Sequence, residues 1–539
     1  MAKIFERLDR LAKIGDNGRA AMFAERTAFV FLVLAFAAAP HSISATQIAG
    51  GIALGASILR LAIGPRTLPA FGRLDAALWG LFAWTFLSSL FSHEPVISLK
   101  QTLGTAVFLC FYLVRLNVRS RSAASFLALI LISSCMVAVV WTPIERSIGR
   151  GVAVQGLAAD GPLAKALLWD GDTLLAVDGR KVGTPEEVVA AIEAVESASV
   201  KFYRPDFELS VDVKRANLLP GEAALQRLGA ASWKKGRNWR SMGFLGHYTT
   251  FAELLQLIGS LAFGLLVAGF AARAAENGTA GPAKEEAASG RTPGETSALR
   301  NRHLILLLAV AVAGISAVLL LTWTRAPQVG FVISAGTILS FGLRRKWLLI
   351  AGVALVAAAL AGMFLLKQAR GVDFLDRADE STRYRQVMLN DGLRLWTENP
   401  THFIFGVGMD SVRTHWREWG MFEGGYLQFG HFHSTPLQLL VERGLPALLL
   451  WLAIAGFYLR SLLRGLKEAE DPFDKGILLG CLGGALGFLF SGIVHYNLGD
   501  QEVAMLFFML MGLAIAIIER PAGAGPGALP GSAAVRLAA

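Results

Sequence analysis

Charge is scarce in this chain: only 17% of its 539 residues are Asp, Glu, Lys or Arg, while 54% are hydrophobic. Soluble proteins carry about 25% charged residues, so the shortage excludes an ordinary solvated globule. Cysteine is almost missing too. Cys110, Cys135 and Cys481 are the only three, and each lies inside an apolar block, so no structural disulfide is expected. What the chain has instead is uncharged apolar blocks in series, each near the roughly 20 residues that a bilayer-crossing helix needs. The mean hydropathy is positive, and the composition reads as a polytopic membrane protein.

The net charge of +10 could suit a nucleic-acid partner, but its placement argues against one. Basic residues gather in alternate gaps between the apolar blocks: Arg60, Arg66 and Arg73; Arg115, Arg119 and Arg121; Arg344, Arg345 and Lys346; Arg460, Arg464 and Lys467. This alternation is the positive-inside pattern and assigns those gaps to the cytoplasm. Twelve helices are expected, at about 27–45, 47–63, 74–92, 99–117, 122–142, 246–272, 303–323, 326–343, 346–366, 444–463, 474–496 and 499–518. The first is read as retained, not as a cleaved signal, because further spans follow it. The domains then run 1–142 (five helices), 240–272 (the sixth), 303–366 (the seventh to ninth) and 444–518 (the last three). Residues 274–300 and 519–539 are small, polar and Gly/Pro-rich, a cytoplasmic linker and tail.

Two long segments fall on the opposite side, and loops of such length are usually functional or fold on their own. In the first, "GVAVQGL" alternates as a strand, "GPLAKALLWDGDTLLAVDGRKV" reads as helix, turn and strand, and "TPEEVVAAIEAV" is an amphipathic helix with a Thr cap. "SVKFYRPDFELSVDVKR" makes a hairpin. Gly151-Val152, Gly161-Pro162, Gly171-Asp172 and Asp178-Gly179 stand where a bacterial PDZ domain has its motif residues, so 148–216 resembles one. That resemblance implies a peptide or protein partner added at a sheet edge; a domain that only packs on its own chain is the alternative. Asp170-Gly171-Asp172 mimics a metal-binding DxD, but the PDZ turn already accounts for it.

The second segment, 367–443, ends in "GHFHSTPLQLLVERGLP", two histidines and several polar groups against an apolar run. Four elements on this side carry polar residues: Arg240 and His247 before the sixth helix, Arg325 after the seventh, Arg383 and Arg385 in the loop, and His431, His433, Glu442 and Arg443 at its end. Arginines at a bilayer edge are expensive unless paired or given an anion. A guanidinium takes phosphate in a two-pronged grip and keeps its charge. A nearby histidine can accept a hydroxyl proton at neutral pH. Together these residue types suggest transfer from a lipid pyrophosphate to a hydroxyl.

Four motifs extend that reading. His433, Ser434, Leu437, Glu442 and Gly444 follow a His-Asn…Leu…Glu-x-Gly spacing, with Ser434 in the place of Asn. Thr322-Trp323-Thr324-Arg325 follows a Thr-x-Ser-Arg turn. Arg385, Pro400 and Gly406-Val407-Gly408 form the third motif, and Arg240, Gly243, Phe244 and His247 the fourth. In this order they resemble the bacterial O-antigen ligase and polymerase superfamily, membrane glycosyltransferases with about twelve helices and a large periplasmic loop. The resemblance covers nearly all of the chain outside the PDZ-like insertion and the linker.

The fold it implies is an all-α polytopic membrane protein with an inserted periplasmic PDZ-like α+β domain. The resemblance implies His433 as catalytic base, with Arg325, Arg385 and Arg240 on the donor diphosphate and Arg383 as a rival to Arg385. His247, Ser434 and Glu442 would support them, Glu442 by stabilising the first turn of the tenth helix; His247 could equally be structural. His431 and His433 as half a zinc site, or His433 as a plain helix-entry residue, are the other readings, and no metal or cofactor is expected. His41, His93 and His495 are expected to be solvated at helix ends. The implied activity is metal-independent, inverting transfer of a glycan from a polyprenyl-diphosphate carrier to a lipid or polysaccharide acceptor, lipid A–core in a ligase, at the periplasmic face of the bacterial inner membrane. A polymerase of the same superfamily and, in another class, a polytopic transporter are the alternatives, although no repeated halves point to a transporter.

Overall fold

The computed structural model describes residues 2–15, 18–64, 68–204, 207–277, 299, 301–370 and 380–520. Most of the expected linker, nearly all of the expected tail, and Arg66 lie outside the described residues. The chain forms two compact units, Met1–Ala138 with Phe244–Ala539, and Val139–Gly243.

The larger unit opens with α1 (Ala2–Ala12), α2 (Arg19–Ala38), α3 (Ile43–Ile63), α4 (Arg73–Leu90) and α5 (Pro95–Thr102). A 3₁₀ turn at Leu103–Phe108 joins α5 to α6 (Leu109–Asn117), and α7 (Arg121–Ile148) leads into the smaller unit. That unit holds β1 (Arg150–Leu157), α8 (Pro162–Lys165), β2 (Thr173–Val177), β3 (Arg180–Lys181), α9 (Pro185–Glu193), β4 (Ser197–Arg204), β5 (Phe207–Lys214), α10 (Ala224–Leu228) and β6 (Ala230–Gly236). The chain then returns through α11 (Tyr248–Asn277), α12 (Arg302–Leu321), α13 (Arg325–Gly342) and α14 (Arg345–Arg370). The polar α15 (Glu380–Thr397) and three short elements, α16 (Pro400–Phe405), α17 (Ser411–His415) and α18 (Met421–Gly425), come before α19 (Thr435–Glu468), α20 (Pro472–Ser491) and α21 (Gln501–Ile518).

Ten helical spans are long and apolar enough to cross a membrane among the described residues, so the protein is a multi-pass membrane protein. The other two expected spans exist as α4 and α13. Each has 18 residues and opens on an arginine. The tenth expected helix, 444–463, is the second segment of α19, which restarts after a break at Gly444 and runs on to Glu468; a first segment from Thr435 precedes it.

Four arginines of the early basic gaps are paired with acids from other helices. Arg60 and Arg119 share Glu25 at 2.7 and 3.2 Å, Arg115 meets Asp75 at 2.6 Å and also Glu519, and Arg121 meets Asp474 at 3.1 Å. Removing one member of such a buried pair leaves an uncompensated charge. These contacts tie α2, α4 and α20 and the end of α21 to the basic ends of α3, α6 and α7.

In lipid, helices gain nothing by hiding apolar surface from one another, so small residues that allow close contact carry the packing. The glycines of α20 do this against α11 and α13. The same contact is bridged by buried Gln256, whose Nε2 donates to Ser334 Oγ at 2.8 Å, while Ser334 Oγ donates to Gly483 O at 2.8 Å.

In the smaller unit the antiparallel sheet runs β5-β4-β2-β1-β6, with β3 paired to β2. Val152, Leu174, Val188, Ile192, Val200 and Phe202 fill its core. Thr184 caps α9, its Oγ1 accepting from Glu187 N at 3.4 Å. The α+β content is as expected, but the unit extends beyond 148–216, because β6 completes the sheet beside β1. Asp172 is taken by Arg204 at 2.7 Å and Asp170 by the Leu157 N–H at 2.8 Å, so the DxD-like triplet is turn structure. Arg240 is partly buried near the end of this unit.

A side chain at Gly480 tests the close packing. Its Cβ would lie 2.6 Å from Leu261 Cα and 2.9 Å from Ser260 O. Gly480→Val should therefore cost about 1–3 kcal/mol by overpacking, read as a lower unfolding midpoint of the detergent-purified protein.

Candidate functional site

The helix that carries the histidine motif is broken. Ser434 is the N-cap of α19, its Oγ accepting from Leu437 N at 3.4 Å, and Pro436 follows in the first turn, where a missing N–H costs nothing. The first segment ends at Gly444, with φ 74° and ψ 178°, and Pro446 restarts the helix beyond it. The carbonyls freed by this break find donors elsewhere. Val441 O accepts from Val407 N at 2.8 Å, Glu442 O from Gly408 N at 3.0 Å, and Arg443 O from Trp84 Nε1 at 2.8 Å. Two glycines make the crossing possible: a Cβ on Gly444 would strike the Ile404 carbonyl, and one on Gly406 the Glu442–Arg443 peptide. Both also have φ of 74°, which disfavours any other residue.

Glu442 is not in the first turn of a helix, as expected from the sequence, but near the end of the first segment of α19. It thus lies at the junction, at the C-terminal end of one segment and two residues before the break from which the next restarts. Its Oε1 instead accepts from Asp410 N at 2.8 Å, fixing the turn after Gly408 in which Asp410 has φ 63°. Above the break, α15 to α18 and the chain before α19 share a small core that includes Met388, Val412, Phe422, Phe432 and Leu437.

His433 stands just before the N-cap in the left-handed region, φ 47°, where a non-glycine residue stores strain. Its N–H donates to His431 Nδ1 at 3.2 Å, and the two rings meet edge to face at 4.2 Å. Burial, followed by the nearby His431, His495, Arg385 and His247, pushes the His433 imidazole down to about 3. Burial, His495 and His247 lower His431 as well. Both rings are therefore neutral at pH 7; the accepting nitrogen of His431 is already taken by the His433 N–H, and that of His433 remains to accept a proton.

The structure thus brings His433, His431, His495, Arg385 and His247 together. Arg385 and its rival part company: residues two apart on a helix point to opposite sides, and exposed Arg383 pairs with Glu423 at 3.1 Å. His247 is exposed at the start of α11, stacked on Tyr248 at 4.3 Å, and its Nδ1 accepts from Thr249 N at 3.2 Å. It is at once a helix-entry residue and a neighbour of the histidine pair. Arg325 is the first residue of α13, partly buried after a turn in which Trp323 has φ 51°. No group of three metal-ligating side chains occurs among the described residues.

Of three histidines expected to be solvated, His93 is exposed and the other two are engaged elsewhere. His41 Nε2 lies 2.8 Å from Ser134 Oγ, and His93 packs edge-on against His415 at 4.7 Å. His495 is buried with its Nδ1 3.0 Å from Glu253 Oε1. The sequence signal for this last pair was available: Glu253 is a lone acid inside the apolar α11, and such residues rarely lack a purpose. Next to it, Thr435 N donates to His495 O at 3.1 Å, and Arg443 Nη2 to the Tyr496 hydroxyl at 3.3 Å.

Low imidazole basicity has a stability signature. The unfolded His433 titrates near 6.5 and the folded one near 3, so between these values only the unfolded chain binds the proton. Its contribution is complete above about pH 6.5 and lost as pH falls toward 3, by up to about 1.4 kcal/mol per pH unit. His433→Asn should flatten the acid side of the midpoint-versus-pH curve in detergent.

Comparison with known proteins adds two matches. Residues 308–452 match the family described as O-antigen ligase, a stretch that includes Arg325, Arg385, His433 and the break at Gly444. The magnetosome formation protease MamE of Paramagnetospirillum magneticum is 41% identical over 78 residues, 14% of this chain and 10% of that protein. The chain thus spans about a tenth of the length of that curated relative. The match over 308–452 supports a membrane enzyme of the O-antigen ligase and polymerase kind.

Proposed function

We propose that the protein is a membrane glycosyltransferase of the ligase type, moving a glycan from a polyprenyl-diphosphate carrier to a hydroxyl acceptor such as lipid A–core. The observation that carries this reading is the placement of neutral His433 beside Arg385, at the entrance of a broken helix, within the segment matched to the O-antigen ligase family. His433 removes the acceptor's O–H proton. The oxygen's electron pair forms the new bond to the anomeric carbon from the face opposite the diphosphate. The bond from that carbon to the diphosphate oxygen breaks with its pair, so the centre inverts. Arg325 and Arg385 hold the departing diphosphate, whose charge on the leaving oxygen grows as the bond breaks.

The broken helix supports this role in a second way. The N-terminus of α19 carries the positive end of the helix dipole beside His433. An anionic donor is favoured there. The alternate basic gaps support a site on the periplasmic side of the inner membrane. The smaller unit, by its likeness to a PDZ domain, takes an extended peptide or a protein partner.

Purified protein supplied with a lipid-linked glycan and alternative acceptors, with product mass as readout, tests the reading. Transfer to lipid A–core supports a ligase; chain lengthening on the carrier makes the enzyme a polymerase instead. His433→Ala should lower turnover about 10²–10⁴-fold while the protein still inserts, and full activity in that variant sinks the assignment. Arg325→Lys and Arg385→Lys keep charge but lose the two-pronged grip, so donor use should fall in both. Arg383→Lys should matter less.

A further inference from the structure

Two weak bases do not finish a proton transfer. His433 and His431 are both held below the ordinary imidazole range, by burial first and then by neighbouring positive groups. A proton taken by His433 is therefore shed readily, and the reaction needs a neighbour that holds it better.

One histidine of the cluster has the required support. Glu253 lies buried on α11, its Oε1 3.0 Å from His495 Nδ1 and also accepting from the Ser491 hydroxyl. Glu253 Oε2 is buried with no hydrogen-bond partner. A carboxylate in such a place is costly unless a positive charge visits it. Holding Nδ1–H, it fixes the tautomer and leaves Nε2 as the accepting nitrogen. It also stabilises the imidazolium formed when that nitrogen takes a proton.

The pair is also fastened to the site. Thr435, two residues beyond His433, donates its N–H to His495 O at 3.1 Å and its hydroxyl to Asn497 Oδ1 at 2.9 Å. His495 in turn lies close enough to act electrostatically on both His431 and His433. The groups around this proton path are thus His431, His247, Arg385 and the Glu253 carboxylate, and only the last favours a positive charge.

We propose that Glu253 and His495 form a carboxylate–imidazole dyad that receives the proton His433 removes from the acceptor, with His495 as the relay and Glu253 as the residue that positions it. The inference rests on the glycosyl-transfer reading above. The acceptor's proton passes from His433 to His495 Nε2. The new C–O bond forms with the electrons of the acceptor oxygen, and the broken bond leaves its pair on the diphosphate. The imidazolium then returns its proton to water.

The test uses the full-length protein in detergent with a polyprenyl-diphosphate-linked glycan and a hydroxyl acceptor. Glu253→Gln and His495→Gln should each lower kcat about 10–10²-fold with donor KM little changed, and the double variant should be no worse than His495→Gln alone. Wild-type kcat in Glu253→Gln, or multiplying effects in the double variant, overturn the dyad while leaving glycosyl transfer intact. A wild-type protein that makes no product instead overturns the glycosyl-transfer reading. A measurement without substrate separates the two: ¹⁵N-histidine spectra, with His495→Gln as the assignment control, should show His495 protonated at Nδ1. An Nε2-protonated His495 sinks the dyad whatever the activity.

Discussion

The break at Gly444 is the constraint on which the rest of the site depends. A backbone interrupted inside an apolar helix leaves carbonyls that lipid cannot satisfy, each costing several kcal/mol. The chain answers by crossing that point with a second segment, 404–408, whose N–H groups take two of the carbonyls, while Trp84 takes the third. The crossing then fixes everything above it. It holds the turn at Asp410 through Glu442, and it sets the direction in which the first segment of α19 delivers its N-terminus, and so His433.

Support from below comes from packing of a different kind. Glycines of α20 admit α11 and α13 to backbone distance, and Gln256 and Ser334 bridge the same contact. Such closeness leaves no room for α11 to turn about its axis. Glu253, one turn before Gln256, is thereby held facing α20 and the turn after it, where Ser491 and His495 lie. A rigid glycine-packed trio is a good mount for a carboxylate that must stay at hydrogen-bond distance from one ring nitrogen.

Charge in this molecule is used at two places in two ways. At the basic helix ends, Arg60, Arg115, Arg119 and Arg121 have acids from neighbouring helices, and these pairs close the bundle. Around His433 the balance is different: burial first, and then Arg385 and the neighbouring histidines, keep the His433 and His431 rings neutral. An anion entering there is favoured by Arg385, which is the electrostatic basis for reading the region as a diphosphate site.

The sequence by itself determined the membrane class, most of the spans and the α+β insertion, because apolar blocks and strand alternation are local sums over neighbouring residues. It also determined His433 and the glycines of both motifs as a pattern, without saying what they do. Only the tertiary structure decided that Gly406 and Gly444 belong to one crossing, that α19 begins at Thr435, and that β6 joins the sheet of the smaller unit. It alone separated Arg385 from Arg383, through the Glu423 partner of the latter. His495 read as a solvated helix-end residue because nothing within a few positions of it is acidic except Asp500 and Glu502. Its true partner, Glu253, is 242 residues away. A polar group's partner depends on which helices are brought to backbone contact, and that is a property of packing that no local stretch of sequence contains.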